Sequence, residues 1–362
     1  MLEARKAIWW YGSHNATIKA AAIIMSAALI QLNESGLYCA AGDFYIDPWR
    51  PVARAVVTHA HADHARRGSQ SYLTSRDGAL VLQTRMGADA HIQAVDYGKA
   101  VYINGVRVSL HPAGHILGSA QIRIEHQGQI WVVAGDYKTG ADQTCAPFEA
   151  LRCHVFVTES TFGLPIYRWR TQQAIFDEIN AWWRANQLAG KATMLFAYAL
   201  GKSQRLLAGV DASIGPIYTH GAVERLNQDY RASGIALPET AYAAAARGVD
   251  WSKALIIAPP SAQGTPWMRR FGAVSTGVAS GWMQLRGTRR RKAVDRGFAL
   301  SDHADWPGLL EAIQATGAEQ VWVTHGYTAV LARWLNEQGL QARAVATQFE
   351  GEVEESSEEI EA

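Results

Sequence analysis

Three histidines and an aspartate lie within six consecutive positions of the segment VVTHAHADHA, residues 56–65. His59 and His61 follow a short apolar run, and alternate side chains of a strand point to the same face, so these two imidazoles can hold one divalent ion. Asp63 and His64 follow where the chain turns, and they can face a second ion. Nitrogen and carboxylate oxygen suit zinc, with Mn²⁺ as the alternative ion. A solvated histidine-rich loop is the interpretation without a metal.

Two ions need further ligands, and three other segments of the sequence supply them. His115 lies between glycines in PAGHILGSA, where close approach of the backbone to a site is expected, and we prefer it to His111 on that ground. Asp136 directly follows an apolar run in VVAGD and can bridge two ions with its two oxygens. His325 ends the similar run VWVTHG. Together with the four residues of the first segment, these side chains predict a binuclear metal site.

The elements that must position these side chains are short strands that end on a metal-capable or acidic residue. The runs VVTH, VVAGD, VFVTES and VWVTHG share this pattern, and many active sites gather at strand ends because a rigid sheet positions the loops there. Between residues 172 and 186 the spacing becomes helical, and KATMLFAYALGKSQRLLAGV predicts strand, turn and helix. This stretch has no histidine cluster. We therefore predict an α/β protein in which the chain leaves a catalytic domain near residue 166 and re-enters it near residue 290.

Length and composition are those of a chain with a large apolar core. The 362 residues are 48% hydrophobic and include 13 tryptophans, which favours two structural units. Cys39, Cys145 and Cys153 form no C-x-x-C pair, which predicts reduced thiols in a cytoplasmic protein rather than a disulfide framework. The apolar run KAAAIIMSAALI is too short to span a bilayer, so we predict no membrane partner. We interpret residues 1–30 as an N-terminal extension of uncertain order, with secretion as a minor alternative.

Charge is distributed unevenly along the chain. Residues 349–362 contain seven glutamates and no basic residue, which predicts a disordered acidic tail. The rest of the chain therefore carries a formal charge of +8, a balance compatible with a polyanionic substrate. RGTRRRK, residues 286–292, predicts phosphate contacts along a strand channel, with a solvated basic loop as the alternative. A second phosphate contact is predicted at a helix N-terminus. The predicted substrate-binding residues are Lys202, Ser203, Arg289, Arg290 and Arg291.

The metal-capable motifs resemble those of the metallo-β-lactamase superfamily. Asp47 in FYIDP resembles its first motif, HAHADH its second, His115 its third and Asp136 its fourth. The motifs VTEST, SDHAD and VTHG resemble those added in the β-CASP branch, which processes nucleic acids. The residues of this chain at those added motifs are Glu159, His303 and His325.

The resemblance covers about residues 36–350 and implies a fold. FAYALGKSQRLL is similar to the segment that opens a β-CASP domain, and GWMQLRGTRRRKAVDRGFALSDHADW resembles the bacterial DNA ligase-associated exonucleases. The implied architecture is a four-layer αβ/βα metallo-β-lactamase sandwich, residues 31–165 and 291–348. The implied insert is an α/β β-CASP domain, residues 166–290.

The resemblance also implies how the ligands divide between two ions and which residues act in catalysis. The implied ligands are His59, His61 and His115 for one ion, Asp63, His64 and His325 for the other, and Asp136 as the bridge. Two adjacent cations would lower the pKa of a shared water and form a bridging hydroxide. The implied catalytic residues are Asp63, His303, Glu159 and Asp47. Among them His303 would protonate the departing sugar oxygen, Glu159 would hold its second ring nitrogen, and Asp47 would orient the ligands from behind.

The implied function is that of a two-metal phosphodiesterase. We expect a DNA exonuclease that acts in repair on single-stranded or end-containing DNA, in association with a DNA ligase and a helicase. His325 matches a motif in which histidine is typical of RNA-processing members, so an RNA 3′-end-processing nuclease is the alternative. A non-catalytic nucleic-acid-binding scaffold is a lesser alternative, since every ligand position is filled. Hydrolysis of small esters or lactams is disfavoured because it does not need the insert.

Overall fold

Three β-sheets organise the chain in the computed structural model, which describes residues 28–285 and 293–348. The mixed α/β class predicted from the sequence is confirmed. The first 27 residues, the basic segment RGTRRRK and the acidic tail lie outside the described residues. The predicted substrate contacts that lie outside them are Arg289, Arg290 and Arg291.

The first sheet is built from the beginning of the described chain. Its strands are β1 (Gln31–Asn33), β2 (Gly36–Cys39), β3 (Phe44–Ile46), β4 (Arg54–Val56), β5 (Ser71–Ser75) and β6 (Ile92–Val95), with helix α1 (Ala79–Met86) between the last two. They lie side by side in chain order, antiparallel from β1 to β3 and parallel from β3 to β6. Because β3 and β4 are parallel neighbours, the segments that lead to Asp47 and His59 leave the same edge of the sheet.

The second sheet begins with two hairpins. Its first strands are β7 (Ala100–Ile103), β8 (Val106–Pro112), β9 (Ala120–His126), β10 (Gln129–Val133) and β11 (Val155–Ser160). Asn104 and Gly105 form the first turn, with φ of 49° and 84°, and Gln127 and Gly128 form the second, with φ of 48° and 80°. Such left-handed pairs suit the tight turns of β-hairpins. Each pair of residues therefore joins two antiparallel strands in a hairpin, β7 with β8 and β9 with β10.

The third sheet is parallel throughout. Its strands are β12 (Ala192–Phe196), β13 (Ile217–Thr219), β14 (Ala241–Tyr242), β15 (Leu255–Ala258), β16 (Val274–Ala279) and β17 (Arg296–Phe298), in the order β14-β13-β15-β12-β16-β17. The helices of this region are α2 (Gln172–Leu188), α3 (Lys202–Gly209) and α4 (Gly221–Ala232). The predicted helix at residues 172–186 and the predicted strand, turn and helix after it are confirmed as α2, β12 and α3. The domain boundaries at residues 166 and 290 stay predictions.

The last part of the chain returns to the second sheet. Its elements are α5 (Trp306–Thr316), β18 (Gln320–Gly326), α6 (Thr328–Glu337) and β19 (Gln341–Ala344). Strand β18 pairs parallel with β11 and places Gly326 opposite Ser160, so the second sheet reads β19-β18-β11-β10-β9-β8-β7. None of the helices in the described residues is long and apolar enough to cross a membrane.

The strand ends are the part of the first two sheets that remains available for a site. An apolar core between these sheets contains Phe44 from the first and Val157 from the second. Another core packs Leu309 of α5 and Leu331 of α6 against Val323 of β18, on the other face of the second sheet. All six residues of β11 are buried, as expected for a strand that is covered on both faces.

Candidate metal centre

The seven predicted ligands lie at the edge where the strands of the first two sheets end. The loop after β4 carries four of them, the loop between β8 and β9 carries His115, and β10 and β18 lead to Asp136 and His325. The backbone is left-handed at Asp47 and His325, with φ of 44° and 50°. Residues other than glycine rarely adopt this conformation, and it clusters at functional sites. The structure brings all seven side chains together.

The first group of potential ligands has the spacing expected around a single ion. The ligand atoms of His59, His61, His115 and Asp136 all lie within 4.8 Å of one another. Nε2 of His59 and Nε2 of His115 each lie 3.1 Å from Nδ1 of His61. Two ligands at about 2.0–2.1 Å from a tetrahedral zinc are roughly 3.3 Å apart. This geometry fits three nitrogen ligands of one ion.

The second group lies next to the first and shares a carboxylate with it. The ligand atoms of Asp63, His64 and His325 lie within 4.8 Å of one another. Nε2 of His64 is 3.3 Å from Oδ2 of Asp136, and that same oxygen is 3.6 Å from Nε2 of His59. Nε2 of His64 is also buried and makes no hydrogen bond with any described residue, which fits an atom that faces a cation.

Asp47 contacts Nδ1 of His64 and so orients the ring of this potential ligand. Its Oδ2 lies 2.7 Å from Nδ1 of His64 and accepts a hydrogen bond from the hydroxyl of Thr58 at 2.6 Å. Its Oδ1 accepts the backbone N–H of Thr58 at 2.8 Å. A proton on Nδ1 leaves the lone pair on Nε2, so the carboxylate selects the ring form that can bind a metal. This position agrees with the orienting role expected for Asp47.

Two further ligands are oriented by carbonyl groups from the later part of the chain. Nδ1 of His115 donates a hydrogen bond to the backbone oxygen of Asp302 at 2.8 Å. Nε2 of His61 donates to the backbone oxygen of Leu200 at 3.2 Å, and Leu200 lies between β12 and α3. The ring nitrogens left for a metal are Nε2 of His115 and Nδ1 of His61. The third sheet therefore helps to orient a ligand that the first sheet carries.

Most of the histidines are held in the neutral form that binds metals. Burial, reinforced by the neighbouring imidazoles, holds the pKa of His59 well below its ordinary value of 6.5, and the pKa of His115 is held well below it in the same way. Burial also lowers the pKa of His61 and of His325. These four rings are therefore neutral at neutral pH.

His64 and Asp136 behave differently because each faces opposite charge. Burial alone lowers the pKa of His64, but the charges of Asp136, Asp63 and Asp47 outweigh it and raise the pKa well above 6.5. Burial raises the pKa of Asp136, but His64 outweighs it and brings the pKa well below the ordinary 3.8. Asp136 is thus ionised, and His64 must lose a proton before it can bind a metal.

Glu159 and His303 form a buried pair beside the metal ligands. Both carboxylate oxygens of Glu159 lie 3.0 Å from Nδ1 of His303, and the backbone N–H of Tyr137 donates to Oε1 at 2.8 Å. The ligand atoms of Asp136, Glu159 and His303 lie within 4.8 Å of one another, and His303 forms a similar group with His115. His303 therefore lies beside the potential metal ligands, with its Nδ1 held by Glu159.

The predicted phosphate contact at the start of α3 is not accessible. The side chains of Lys202 and Ser203 are 0% exposed. The ammonium of Lys202 lies 3.0 Å from Oδ1 of Asp302, and the hydroxyl of Ser203 donates to the carbonyl of Tyr198 at 2.7 Å. The prediction that Lys202 and Ser203 bind substrate is wrong, because this helix begins inside the protein.

Arg205 in α3 is a functional candidate that the sequence analysis missed. Its guanidinium donates to the backbone oxygens of Ser301 at 2.6 Å and His115 at 3.1 Å, and its Nε lies 2.5 Å from Oδ2 of Asp142. It ties the loop of His115 to the loop of His303. An arginine on a helix normally indicates a solvated face, so the sequence contains no signal for this role.

His111, the alternative to His115 as a ligand, lies outside the candidate metal centre. Nδ1 of His111 is 3.2 Å from Oε2 of Glu149, and His111 belongs to none of the potential ligand groups of the described residues. His115 is preceded by Gly114, where a Cβ would lie 2.3 Å from the carbonyl oxygen of Lys138. The close backbone approach expected from the glycine setting is therefore present.

The protein thus has a mixed α/β fold, and potential ligands for two metal ions lie together where its strands end. The relatives of the chain confirm its resemblance to the β-CASP branch of the metallo-β-lactamase superfamily. It is 30% identical over 316 residues to a probable DNA ligase from Opitutus terrae, with 86% of this chain and 30% of that protein covered. It is also 29% identical over 154 residues to endoribonuclease YSH1 from Gibberella zeae, with 41% of this chain and 18% of that protein covered.

Two further comparisons bear on sequence and fold. Endoribonuclease YSH1 from Saccharomyces cerevisiae is 28% identical over 145 residues, 40% of this chain and 18% of its own. The chain spans 30% or less of the length of these three relatives, and no family model matches it. The crystal structure of a protein of unknown function from Enterococcus faecalis superposes with a TM-score of 0.54 at 11% identity, covering 83% of this chain and 80% of its own. That similarity concerns the fold alone.

Proposed function

We propose that the chain is a two-metal-dependent phosphodiesterase that digests DNA from an end. The observation that carries the proposal is the position of Oδ2 of Asp136, which lies 3.3 Å from Nε2 of His64 and 3.6 Å from Nε2 of His59. A carboxylate in that position can serve both ligand groups at once. The proposal includes a four-layer αβ/βα sandwich with an inserted β-CASP domain, and zinc as the metal, with manganese as the alternative.

The side chains around the ligands have separable tasks in this reaction. When bound, the two ions would ionise a water near neutral pH and neutralise charge on a phosphate oxygen. Asp47 keeps the ring of His64 in the form that binds a metal. His303 gives a proton to the sugar oxygen as its bond to phosphorus breaks, and Glu159 holds the Nδ1 side of that ring in place. Asp63 completes the ligands on the side of His64.

Two observations support DNA as the substrate. The relative that covers most of this chain is named a probable DNA ligase, and the chain without its acidic tail carries a formal charge of +8, which suits a polyanion. We propose a role in DNA repair on single-stranded or end-containing DNA, alongside a DNA ligase and a helicase. The proposed location is the cytoplasm, where the three free, buried cysteines stay reduced.

RNA is the second candidate substrate, and a specific observation favours it. Two relatives are named endoribonucleases, and His325 has the residue type found in RNA-processing members of the β-CASP branch. The metal centre would act on the phosphate group, which DNA and RNA share, and would not contact the sugar, in which they differ. It is therefore compatible with both substrates. Matched DNA and RNA strands therefore separate the two candidates.

The experiment is timed digestion of end-labelled DNA and RNA, single- and double-stranded, with Zn²⁺ or Mn²⁺. Wild-type protein should release nucleotides from single-stranded DNA. We expect Asp136→Asn to lower the rate on the order of 10³-fold and to reduce the bound metal from two ions to one or none per chain. Asp96→Asn, which changes an exposed ion pair with Arg76, is the matched control and should behave as wild type.

Each alternative has its own signature in this assay. Turnover of RNA with none of DNA would replace the first candidate with the second. Tight strand binding without cleavage under either metal would leave only a nucleic-acid-binding scaffold. If Asp136→Asn kept full activity and two bound ions, Asp136 would not be the bridging ligand.

A further inference from the structure

A small cavity adjoins one of the two ligand groups. All three residues of the second group line it, whereas none of the four residues of the first group does. Its volume of about 30 Å³ has room for one or two water molecules, since each needs roughly 10–15 Å³ of such space. This cavity therefore serves the second group and not the first.

The wall of this cavity belongs to the first two sheets. Its half-buried residues include Trp49, in the loop after β3, and Thr347, which follows β19. No residue between positions 166 and 290 lines it. The third sheet instead approaches the centre at the first group, where the backbone oxygen of Leu200 accepts a hydrogen bond from His61. The cavity and the third sheet thus meet the metal centre at different ligand groups.

The exposure of the ligand side chains differs in the same sense. The side chains of His59 and His115 are 0% exposed, and within the first group only His61 is half-buried. The side chain of Asp63 is 20% exposed, and its carboxylate lines the cavity together with that of Asp47. Two carboxylates at one wall attract a divalent cation from solvent. The cavity therefore suits the passage of a metal ion.

Exchange of an ion at a protein site needs an entry path and incoming water. A path of entry is one of the features that a metal site requires, and water must take the ligand positions that the protein side chains release. The cavity offers both to the second group. The first group, with two histidine side chains that are 0% exposed, is enclosed by the protein.

We propose that this cavity is the route by which the ion of the second group enters and leaves, while the ion of the first group stays enclosed. The proposal rests on the proposed function for the presence of two ions. In that function the sugar oxygen departs at His303, which does not line the cavity. The second ion therefore exchanges on a side of the centre that a bound strand leaves open.

Release of zinc to an excess of the chromophoric chelator pyridylazoresorcinol tests this route in the full chain loaded with two zinc ions. Wild type should release them in two phases of equal amplitude, a fast one from the second group and a slow one from the first. Asp63→Ala removes a ligand of the second group, so this variant should bind one ion and keep the slow phase alone. Release of both ions in one phase, or an undiminished fast phase in Asp63→Ala, would overturn the proposal.

Two variants change the width of the cavity without replacing a potential ligand. Thr347→Phe fills it and should slow the fast phase about tenfold or more, which corresponds to a barrier higher by about 1.4 kcal/mol. Trp49→Ala widens it and should speed the fast phase by a similar factor. In both variants the slow phase and the equilibrium affinity for zinc should match wild type, since no ligand changes.

The matched control adds the same ring beside the cavity. Ala346→Phe changes an exposed neighbour of Thr347 that does not line the cavity, and it should release zinc as wild type does. Loss of folding cannot slow release in one variant and speed it in the other, so opposite effects of Thr347→Phe and Trp49→Ala identify the route. A fast phase that neither variant changes, or that Ala346→Phe slows equally, would refute it.

Zinc release with a strand bound separates the route from the proposed function. Saturating single-stranded phosphorothioate DNA, which resists cleavage, should leave the rate of the fast phase unchanged, and a fast phase slowed by the strand would refute the route. Cleavage of DNA with release of both ions in one phase would also refute the route and leave the phosphodiesterase intact. Two-phase release that depends on the cavity, without cleavage of any strand, would support the route and refute the phosphodiesterase.

Discussion

His303 and Glu159 form a buried pair whose proposed task can be isolated by changing the leaving group. His303→Ala should lower kcat on DNA about 10²- to 10⁴-fold, the range of general acid catalysis. A p-nitrophenyl ester of thymidine 5′-monophosphate should suffer little, because its phenolate departs without a proton. Measurement of kcat for both substrates with wild type and variant checks this prediction.

The matching controls separate proton donation from structure. His91→Ala changes an exposed histidine and should leave both substrates unaffected, whereas Asp136→Asn should impair both. Equal losses on DNA and on the activated ester in His303→Ala would mean that His303 supports the fold of the site and donates no proton.

The identity of the site residues could be predicted because strand ends concentrate chemistry. His59 and Asp136 each follow an apolar run, and the structure brings them within 3.6 Å. The groups that orient these ligands could not be predicted, because they are backbone oxygens, such as those of Leu200 and Asp302, which accept hydrogen bonds from the histidine rings. Every residue has such an oxygen, so its use depends on the fold and leaves no trace in the sequence.

At the scale of elements, helix α3 connects the third sheet to the loops of the candidate metal centre. Lys202, at its start, pairs with Asp302, and Arg205, one turn later, donates to the carbonyls of Ser301 and His115. The helix thereby contacts two loops that belong to different parts of the chain. This arrangement explains why residues predicted to bind substrate are instead buried as supports.

Arg205→Lys should loosen this connection without removing its charge. Lysine can still pair with Asp142, but it lacks the planar fork that reaches two carbonyls. We expect zinc affinity to fall about 10- to 100-fold, as for other contacts that orient metal ligands, and kcat to fall with it. Competition with a chromophoric chelator measures the affinity. Arg184→Lys, in an exposed pair with Asp211, is the control, and unchanged affinity in Arg205→Lys would contradict the prediction.

Hairpins and helices were accessible from the sequence, but the pairing of distant strands was not. Asn104 and Gly105 define a turn by their own conformational preferences. The pairing of β11 with β18 joins Ser160 to Gly326, and no local preference encodes such a contact. Both strands contain a short apolar run, VFV in β11 and VWV in β18, and such runs do not specify which neighbour a strand pairs with.

At the scale of the whole molecule, the candidate metal centre needs residues from separate parts of the chain. The first sheet and its loops supply His59 and Asp63, the third sheet approaches through Leu200, and the last part of the chain supplies His325. Binding of metal would therefore be coupled to the folding of all three parts. No single part of the chain carries all seven potential metal ligands.

Acidification should remove the two ions in a fixed order. Burial lowers the pKa of His59, of His61 and of His115, so protons displace a metal from that group only below pH 6.5. Carboxylates overcome burial and raise the pKa of His64 well above 6.5, so protons already compete for the second group near neutral pH. Metal content per chain, measured at fixed free zinc between about pH 8 and 5, should fall from two ions to one before it falls further. Loss of both ions in one step, or prior loss from the group of His59, would contradict the assignment of His64 as the ligand most sensitive to protons.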